Sequence, residues 1–289
     1  MTNAIGTYSK KIDSKLVNPL RNVLKGRKLV YVTREQGFGI SSVDWGTITD
    51  VSDGMVSYGF KGGNQDKIDV TLTNSKVPVY WKDYVVDRRM YNSWQVSGVD
   101  IDASSAIAAA YKAAKAEDTA IVMGVSNDGT NYDIDGLYKK AGNVEATALD
   151  VGTFGNATSK LSLAYEMMDD DGVPVDSLAF NWALSSTQYR EIMSRRSANG
   201  VRELPDILDM LNGGKLYSMG KILTDGTGML LPTPAVGEPY VDFYLTSDFK
   251  TEHGFDSNHP DTGDLTGRVY SAGILRVKQA NAIVATNAI

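Results

Sequence analysis

Residues 104–124, SSAIAAAYKAAKAEDTAIVMG, constrain the fold of this chain more than any other stretch. Ala106, Ile107, Ala110, Ala113, Ala114 and Ile121 recur at three- and four-residue steps, which lays one apolar stripe along a helix. The stripe is mostly alanine, so other backbone can approach it closely. Asp102 and Ser104 each offer a short side-chain oxygen to the unpaired N–H groups of a first turn. Gly124 suits the left-handed position that follows a helix C-terminus. Lys112, Lys115 and Asp118 fall off the stripe and are expected on the wetter side. At 1.5 Å per residue the rod is roughly 30 Å long, enough to span a small domain.

The segments before this helix read differently. Ile12, Leu16, Leu20, Val23 and Leu24 are at helical spacing within 8–25, with an interruption at Asn18-Pro19. Gly26 is expected to close that helix, and GRKLVYV to begin a strand. From Asp44 to Asp87 the period changes to two. Ile68, Val70 and Leu72 alternate with polar neighbours, and Val77, Val79 and Trp81 alternate with Pro78, Tyr80 and Lys82. Met55–Phe60 reads as an earlier strand and Gly62-Gly63-Asn64 as a turn. The result is a long two-stranded projection, which is marginal in water unless it lies against something. A neighbouring subunit or the chain's own core would serve equally.

After the long helix comes a Gly-, Asn- and Asp-rich stretch, 126–155, and then a helix from Asn156 to Met168 stopped by Asp169-Asp170-Asp171-Gly172. Ser177–Leu184 reads as a buried strand, Ser185 or Ser186 as the cap of a helix to Ser194, and Leu204–Leu211 as another helix before Gly213-Gly214. Strands follow at Tyr217–Ile222, Met229–Leu231, Tyr240–Thr246 and Ala272–Val277. Helices among separated strand groups, without regular βαβ alternation, give an α+β fold.

Composition narrows function chiefly by exclusion. The 289 residues are 42% hydrophobic, enough for one large or two modest cores. No apolar run approaches the 18 or so residues of a membrane span, and the start MTNAIGTYSKK lacks the apolar stretch of a secretory signal. Cysteine is absent, which removes disulfides, zinc thiolates and thiol nucleophiles. There is no Walker A loop, and Gly226-Thr227-Gly228 lacks the third glycine of a dinucleotide site. No serine sits in G-x-S-x-G. His253, Asp256, His259, Asp261 and Asp264 gather polar ligands in one loop, at a spacing that fits no standard metal site; Asp169-Asp170-Asp171 reads as a turn before a magnesium site. No enzyme is expected, and no cofactor or metal.

Charge is uneven. Residues 1–28 hold Lys10, Lys11, Lys15, Arg21, Lys25, Arg27 and Lys28 against Asp13 alone, so this arm carries +6 while the whole chain carries −6. A basic arm on an acidic body can meet a polyanion, and it can equally be a solvated helix face.

Taken together, these segments resemble a known family. The order is a basic arm ending GRKLV, a long hairpin, then KVPVYWKDYVVDRRMYNSWQVSGVDIDASSAIAAAYKAAKAEDTAIVMG, with SLAFNWALSSTQYREIM, LNGGKLYSMGKI and YVDFYLTSDFKTEHGF…GRVYSAGILRV after it. This resembles encapsulin shell proteins and the major capsid proteins of tailed viruses, with the Hong Kong 97-type fold, collinearly over nearly the whole chain. The resemblance implies an N-terminal arm and first strand (1–43), an extended loop (44–76), a peripheral domain (77–172) with the spine helix 104–124, an axial domain (173–241) and return strands (242–289). It implies a self-assembling icosahedral shell of pentamers, with or without hexamers. Ile68, Val70 and Leu72 would contact a neighbouring subunit, and Lys10, Lys11, Lys15, Lys25 and Lys28 would face the lumen. The leading expectation is a viral capsid around a genome, assembled in the host cytoplasm; the alternative is an encapsulin nanocompartment around a cargo protein. The basic arm favours nucleic acid through counterion release. Two departures stand out: the 62–76 region is longer than in compact encapsulins, and the Pro19-broken arm does not match the encapsulin cargo-docking helix. A soluble metal-binding enzyme using the 253–264 loop is the remote alternative.

Overall fold

The computed structural model describes residues 24–34, 37–48, 70–97, 104–126, 133–234, 240–255, 264–287 and 289. A single helical turn, α1 (Gly26–Leu29), leads into β1 (Tyr31–Arg34). Next come β2 (Ser42–Ile48), β3 (Val70–Lys76) and β4 (Val79–Val86). Then follow α2 (Arg88–Ser97), α3 (Ser104–Val122) and the short strands β5 (Gly124–Val125), β6 (Ile134–Asp135) and β7 (Asn143–Glu145). α4 (Asn156–Asp170), β8 (Phe180–Leu184), α5 (Ser186–Ser194), α6 (Leu204–Met210), β9 (Leu216–Ser218) and β10 (Gly228–Pro232) form the next stretch. β11 (Val241–Phe255), β12 (Leu265–Val277) and β13 (Val284–Thr286) close the chain.

Two sheets carry the fold. A four-stranded sheet runs β1-β11-β12-β4, and a five-stranded sheet runs β7-β13-β10-β8-β9. The spine helix α3 lies on the first. Its alanine face, Ala106, Ala109, Ala110 and Ala114, packs against Tyr84 and Val86 of β4 and Leu265 and Val269 of β12. Alanine lets the helix axis come close, so tyrosine rings fill the space larger helix residues would take. The lower end of α3 joins a second cluster, in which Ile121 and Val122 meet Phe243, Leu245 and Leu275 on one side and Met229, Leu231 and Ile283 on the other. That cluster locks the two sheets together. The third cluster is centred on Trp182, with Leu161, Ala164 and Met168 of α4, and Ile192 and Ile207 of α5 and α6, laid over the five-stranded sheet.

Several expected boundaries moved for identifiable reasons. The expected strand at GRKLVYV starts only at Tyr31, because the Asp118 carboxylate accepts the Lys25 and Gly26 N–H groups and so caps a helical turn. Gly26 opens that turn rather than closing a helix. A Cβ there would lie 3.0 Å from Asp118 Oδ1, which explains the glycine. α2 was not anticipated; Asp87 and Asp264 accept N–H groups of its first turn, at 2.6 Å from Arg89 and 3.1 Å from Arg88. β11 and β12 are far longer than 240–246 and 272–277, because shifts of register between Leu245 and Lys250 interrupt the two-residue period without ending the pairing. The strand expected at 217–222 stops at Ser218, where Gly220 turns at φ +65°. Gly124 does hold φ +85° just beyond α3, and its backbone is so close to Gly136 that a side chain at either would strike main chain. The five-stranded sheet draws β7 and β13 from either side of the expected axial segment 173–241.

Candidate assembly surface

β2 and β3 form the root of the projection expected from the sequence. They pair antiparallel from Ser42 opposite Lys76 to Ile48 opposite Val70, and among the described residues no third strand joins them. Trp45 anchors this ribbon. It is buried against Tyr244 and Ile274, with the Lys140 ammonium 5.8 Å from its ring centroid. Leu72, paired opposite Gly46, is 75% exposed. A large apolar side chain left this bare on a two-stranded ribbon suits a surface that another molecule covers. Val70 occupies the pair position opposite Ile48, and Ile68 lies outside the described residues.

The outward face of β4 adds a second apolar strip. The sequence grouped Val77, Val79 and Trp81 as one alternating set, and the structure buries the other set, Tyr80, Tyr84 and Val86, leaving Val79, Trp81 and Val85 exposed. Tyrosine is the larger filler for the gap beneath an alanine helix. Trp81 is partly shielded: the Arg268 guanidinium stands 4.5 Å from its ring centroid while pairing in bidentate fashion with Asp83 at 2.6 and 3.0 Å. The hydrogen bond from Arg268 holds the Asp83 carboxyl below the usual aspartate range.

The described end of the basic arm is clamped to the spine helix. Arg27 donates Nε to Glu117 Oε1 at 2.5 Å and Nη2 to Oε2 at 2.9 Å, and its Nη1 reaches Asp248 at 2.7 Å. Glu117 also accepts the Ser271 hydroxyl at 2.5 Å. Burial opposes the Arg27 charge, but Glu117 and then Asp248 outweigh it and hold the guanidinium firmly protonated. Burial pushes the Asp118 carboxyl up to about 6, against the two backbone N–H groups that favour its ionised form. The sequence placed Asp118 on the wet side of the helix; the structure buries it with Glu117. The signal was an adjacent Glu-Asp pair inside an alanine-rich helix. Its partners lie about ninety positions away, out of reach of any local pattern.

Of the expected lumen-facing lysines, Lys28 is exposed, while Lys10, Lys11 and Lys15 lie outside the described residues. Lys25 is engaged: its Nζ donates to the Ser218 carbonyl at 2.6 Å. In the 253–264 loop, Asp264 caps α2, and Asp256, His259 and Asp261 lie outside the described residues. Among the described residues no cluster of three His, Cys, Asp or Glu could hold a metal, and no helix is long and apolar enough to cross a membrane.

The fold as a whole is shared with solved shells. The virus-like particle of Pyrococcus furiosus superposes with a TM-score of 0.70 at 16% identity, covering 97% of this chain and 99% of that one. The capsid of Myoviridae phage XM1 does so with a TM-score of 0.63 at 12% identity, covering 92% of each. The class is therefore an α+β subunit with the Hong Kong 97-type capsid fold. Residues 5–266 match the family described as encapsulating protein for peroxidase, and the chain belongs to that encapsulin family. It is similar to a diheme-cytochrome-encapsulin shell fusion protein of Kuenenia stuttgartiensis, 24% identical over 265 residues, 90% of this chain and 67% of that protein. It is also similar to a type 1 encapsulin shell protein of Myxococcus xanthus, 23% identical over 278 residues, 94% and 90% of the two chains. Its role is structural: it assembles with itself into an icosahedral shell.

Proposed function

We propose that this shell encloses a protein cargo, as an encapsulin-type compartment working in the cytoplasm. The family match across residues 5–266 carries this reading, supported by two relatives named as encapsulin shell proteins. It displaces the viral capsid as the leading expectation, because a family described by its protein contents is a more specific guide than the charge of an arm. Along the sequence the chain divides into the arm (1–43), extended loop (44–76), peripheral domain (77–172), axial domain (173–241) and return strands (242–289), with β7, α4 and β13 joining the axial sheet from the flanking segments. The β2–β3 ribbon lies on a neighbouring subunit and buries Ile68, Val70 and Leu72 there. Lys10, Lys11, Lys15 and Lys28 face the lumen, while Lys25, held by Ser218, fixes where the arm leaves the body.

The viral reading keeps one observation in its favour, the +6 arm. The test is to purify particles from the native host and identify what is protected inside. Protease-resistant protein with little absorbance at 260 nm supports the compartment; nuclease-protected nucleic acid in place of protein moves the viral reading ahead. In that case changing Lys10, Lys11, Lys15 and Lys28 to Gln flattens the dependence of log affinity on log salt by about 0.7 to 0.9 per lost phosphate contact. The chain expressed alone is expected to give hollow particles, and a species no larger than a dimer across salt and pH would overturn the shell itself.

A further inference from the structure

The two ends of α4 carry opposite charges, and each is placed against the helix's own polarity. At the N-terminal end, Glu203 Oε1 accepts the Thr158 N–H at 3.2 Å, which seats the loop just before Glu203 beside the first turn of α4. In that loop Arg196 and Arg202 are paired across a tight antiparallel return closed by Ser197 N–H donating to the Val201 carbonyl at 2.8 Å. Arg195 precedes them, and Val201 at the tip is 59% exposed. At the C-terminal end Asp169, Asp170 and Asp171 are exposed, with Glu166 one turn earlier and the half-exposed Val144 on the adjoining β7.

Helix dipoles favour anions at N-termini and cations at C-termini, so both clusters are unfavourably placed within one subunit. The last turn of α4 contains no basic residue. Among the described residues, Arg196 and Arg202 have no ion-pair partner, and neither do Asp169 and Asp170. Arg195 has the Asp150 carboxylate for a neighbour, Arg195 Nη2 and Asp150 Oδ2 each lying 3.0 Å from where a Cβ on Gly152 would stand. Asp171 accepts one hydrogen bond, from Asn143 Nδ2 at 2.6 Å. α4 is fifteen residues long, so its ends are about 22 Å apart and cannot neutralise each other. Each patch combines an exposed valine with exposed charges mainly of one sign, arginine at one end and aspartate at the other, so the two are complementary.

We propose that these patches are the two halves of one contact, in which the arginine loop of one subunit seats against the acidic end of α4 in a second copy. This rests on the shell reading above. A head-to-tail contact of unlike patches closes into a ring when its rotation allows, and it brings each cluster the counter-charge its own helix denies it. The contact sets register and encounter rate more than affinity, and it weakens with salt, because exposed charges are screened over about 10 Å at 0.1 M.

The test is charge reversal in the full chain, read by the yield of closed particles at low salt. The parent is run first: no particles from the parent defeats the shell reading and removes the basis of this contact. If the parent closes, R195E/R196E/R202E and D169K/D170K/D171K are each expected to lower the yield at least tenfold. Combining all six changes restores the attraction with its signs exchanged, so yield returns to within about twofold of the parent. Circular dichroism checks that each variant is folded. Should a reversed chain unfold, R195Q/R196Q/R202Q replaces it, with a smaller loss of yield and a weaker salt dependence expected. Parent-like closure of the single-patch variants, or a combined variant no better than either, overturns the proposal while leaving the shell intact. A parent whose closure is indifferent to salt does the same.

Discussion

The five-stranded sheet and the β2–β3 ribbon are both β-structure, yet one is covered by the chain's own helices and the other, among the described residues, is a bare pair of strands. β8 and β10 are buried at every position, under α4, α5 and α6 on one side and the joint with the first sheet on the other. The ribbon buries Trp45 at its root and presents Leu72 bare. The first region is where the subunit's own buried apolar contacts lie; the second, on the proposed assembly, is a surface whose energy is realised only against a neighbour. Mutations should therefore separate cleanly into those that unfold the subunit and those that leave it folded but solitary.

Trp182→Ala, in the sheet, should have the largest effect on the subunit. It opens a cavity at the centre of a cluster, and the expected loss is about 3–5 kcal/mol, measured by denaturant unfolding of unassembled chain. A loss under about 1 kcal/mol would mean that the sheet is not the stabilising region.

Glu117→Ala comes next. It leaves Arg27 buried without its main partner, where breaking a buried pair costs about 3–5 kcal/mol; Asp248 remains, so the lower end is expected. The same denaturation series reads it, and a near-neutral result would show that the arm clamp is solvated.

The Asp118 carboxyl titrates near 6 in the folded chain against an ordinary value of 3.8. Its raised folded value means that the native state holds the proton more tightly than the unfolded one. Stability therefore falls as pH rises between about 4 and 6 through this group. Asp118→Asn should flatten that part of the stability–pH curve, and an unchanged slope would assign the dependence elsewhere.

The ribbon should give the smallest effect on the subunit and a large one on the shell. Replacing Ile68 and Leu72 with Asp is expected to change unfolding free energy by no more than about 0.5 kcal/mol, while electron microscopy shows no closed particles. Normal shells from this variant would erase the contrast between the two regions.

Much of the frame was legible in the sequence, because it was written in local periodicity. Alanine spacing gave α3, the helical spacing from Asn156 to Met168 gave α4, and the buried-looking run Ser177–Leu184 gave β8, each to within a few residues. The order of these elements identified the fold. The alternation in β4 was visible too, but which set faces inward was not, since both contain large residues. That choice was made by the spine helix, whose alanine face lies on Tyr84 and Val86 while Tyr80 joins the cluster around Ile121.

What the sequence by itself determined is therefore most of the longer elements, the shell fold and the charge imbalance between arm and body, all consequences of residues close together in the chain. Only the tertiary structure decided that Glu117 and Asp118 are interior groups holding Arg27 and Gly26, that Lys25 is committed to Ser218, and that Leu72 stands exposed. It also brought the arginine loop to one end of α4 and left the aspartates at the other. The reason is physical: a hydrogen bond or ion pair between residues ninety or more positions apart leaves no period in the sequence, and appears only when the sheets bring the two together.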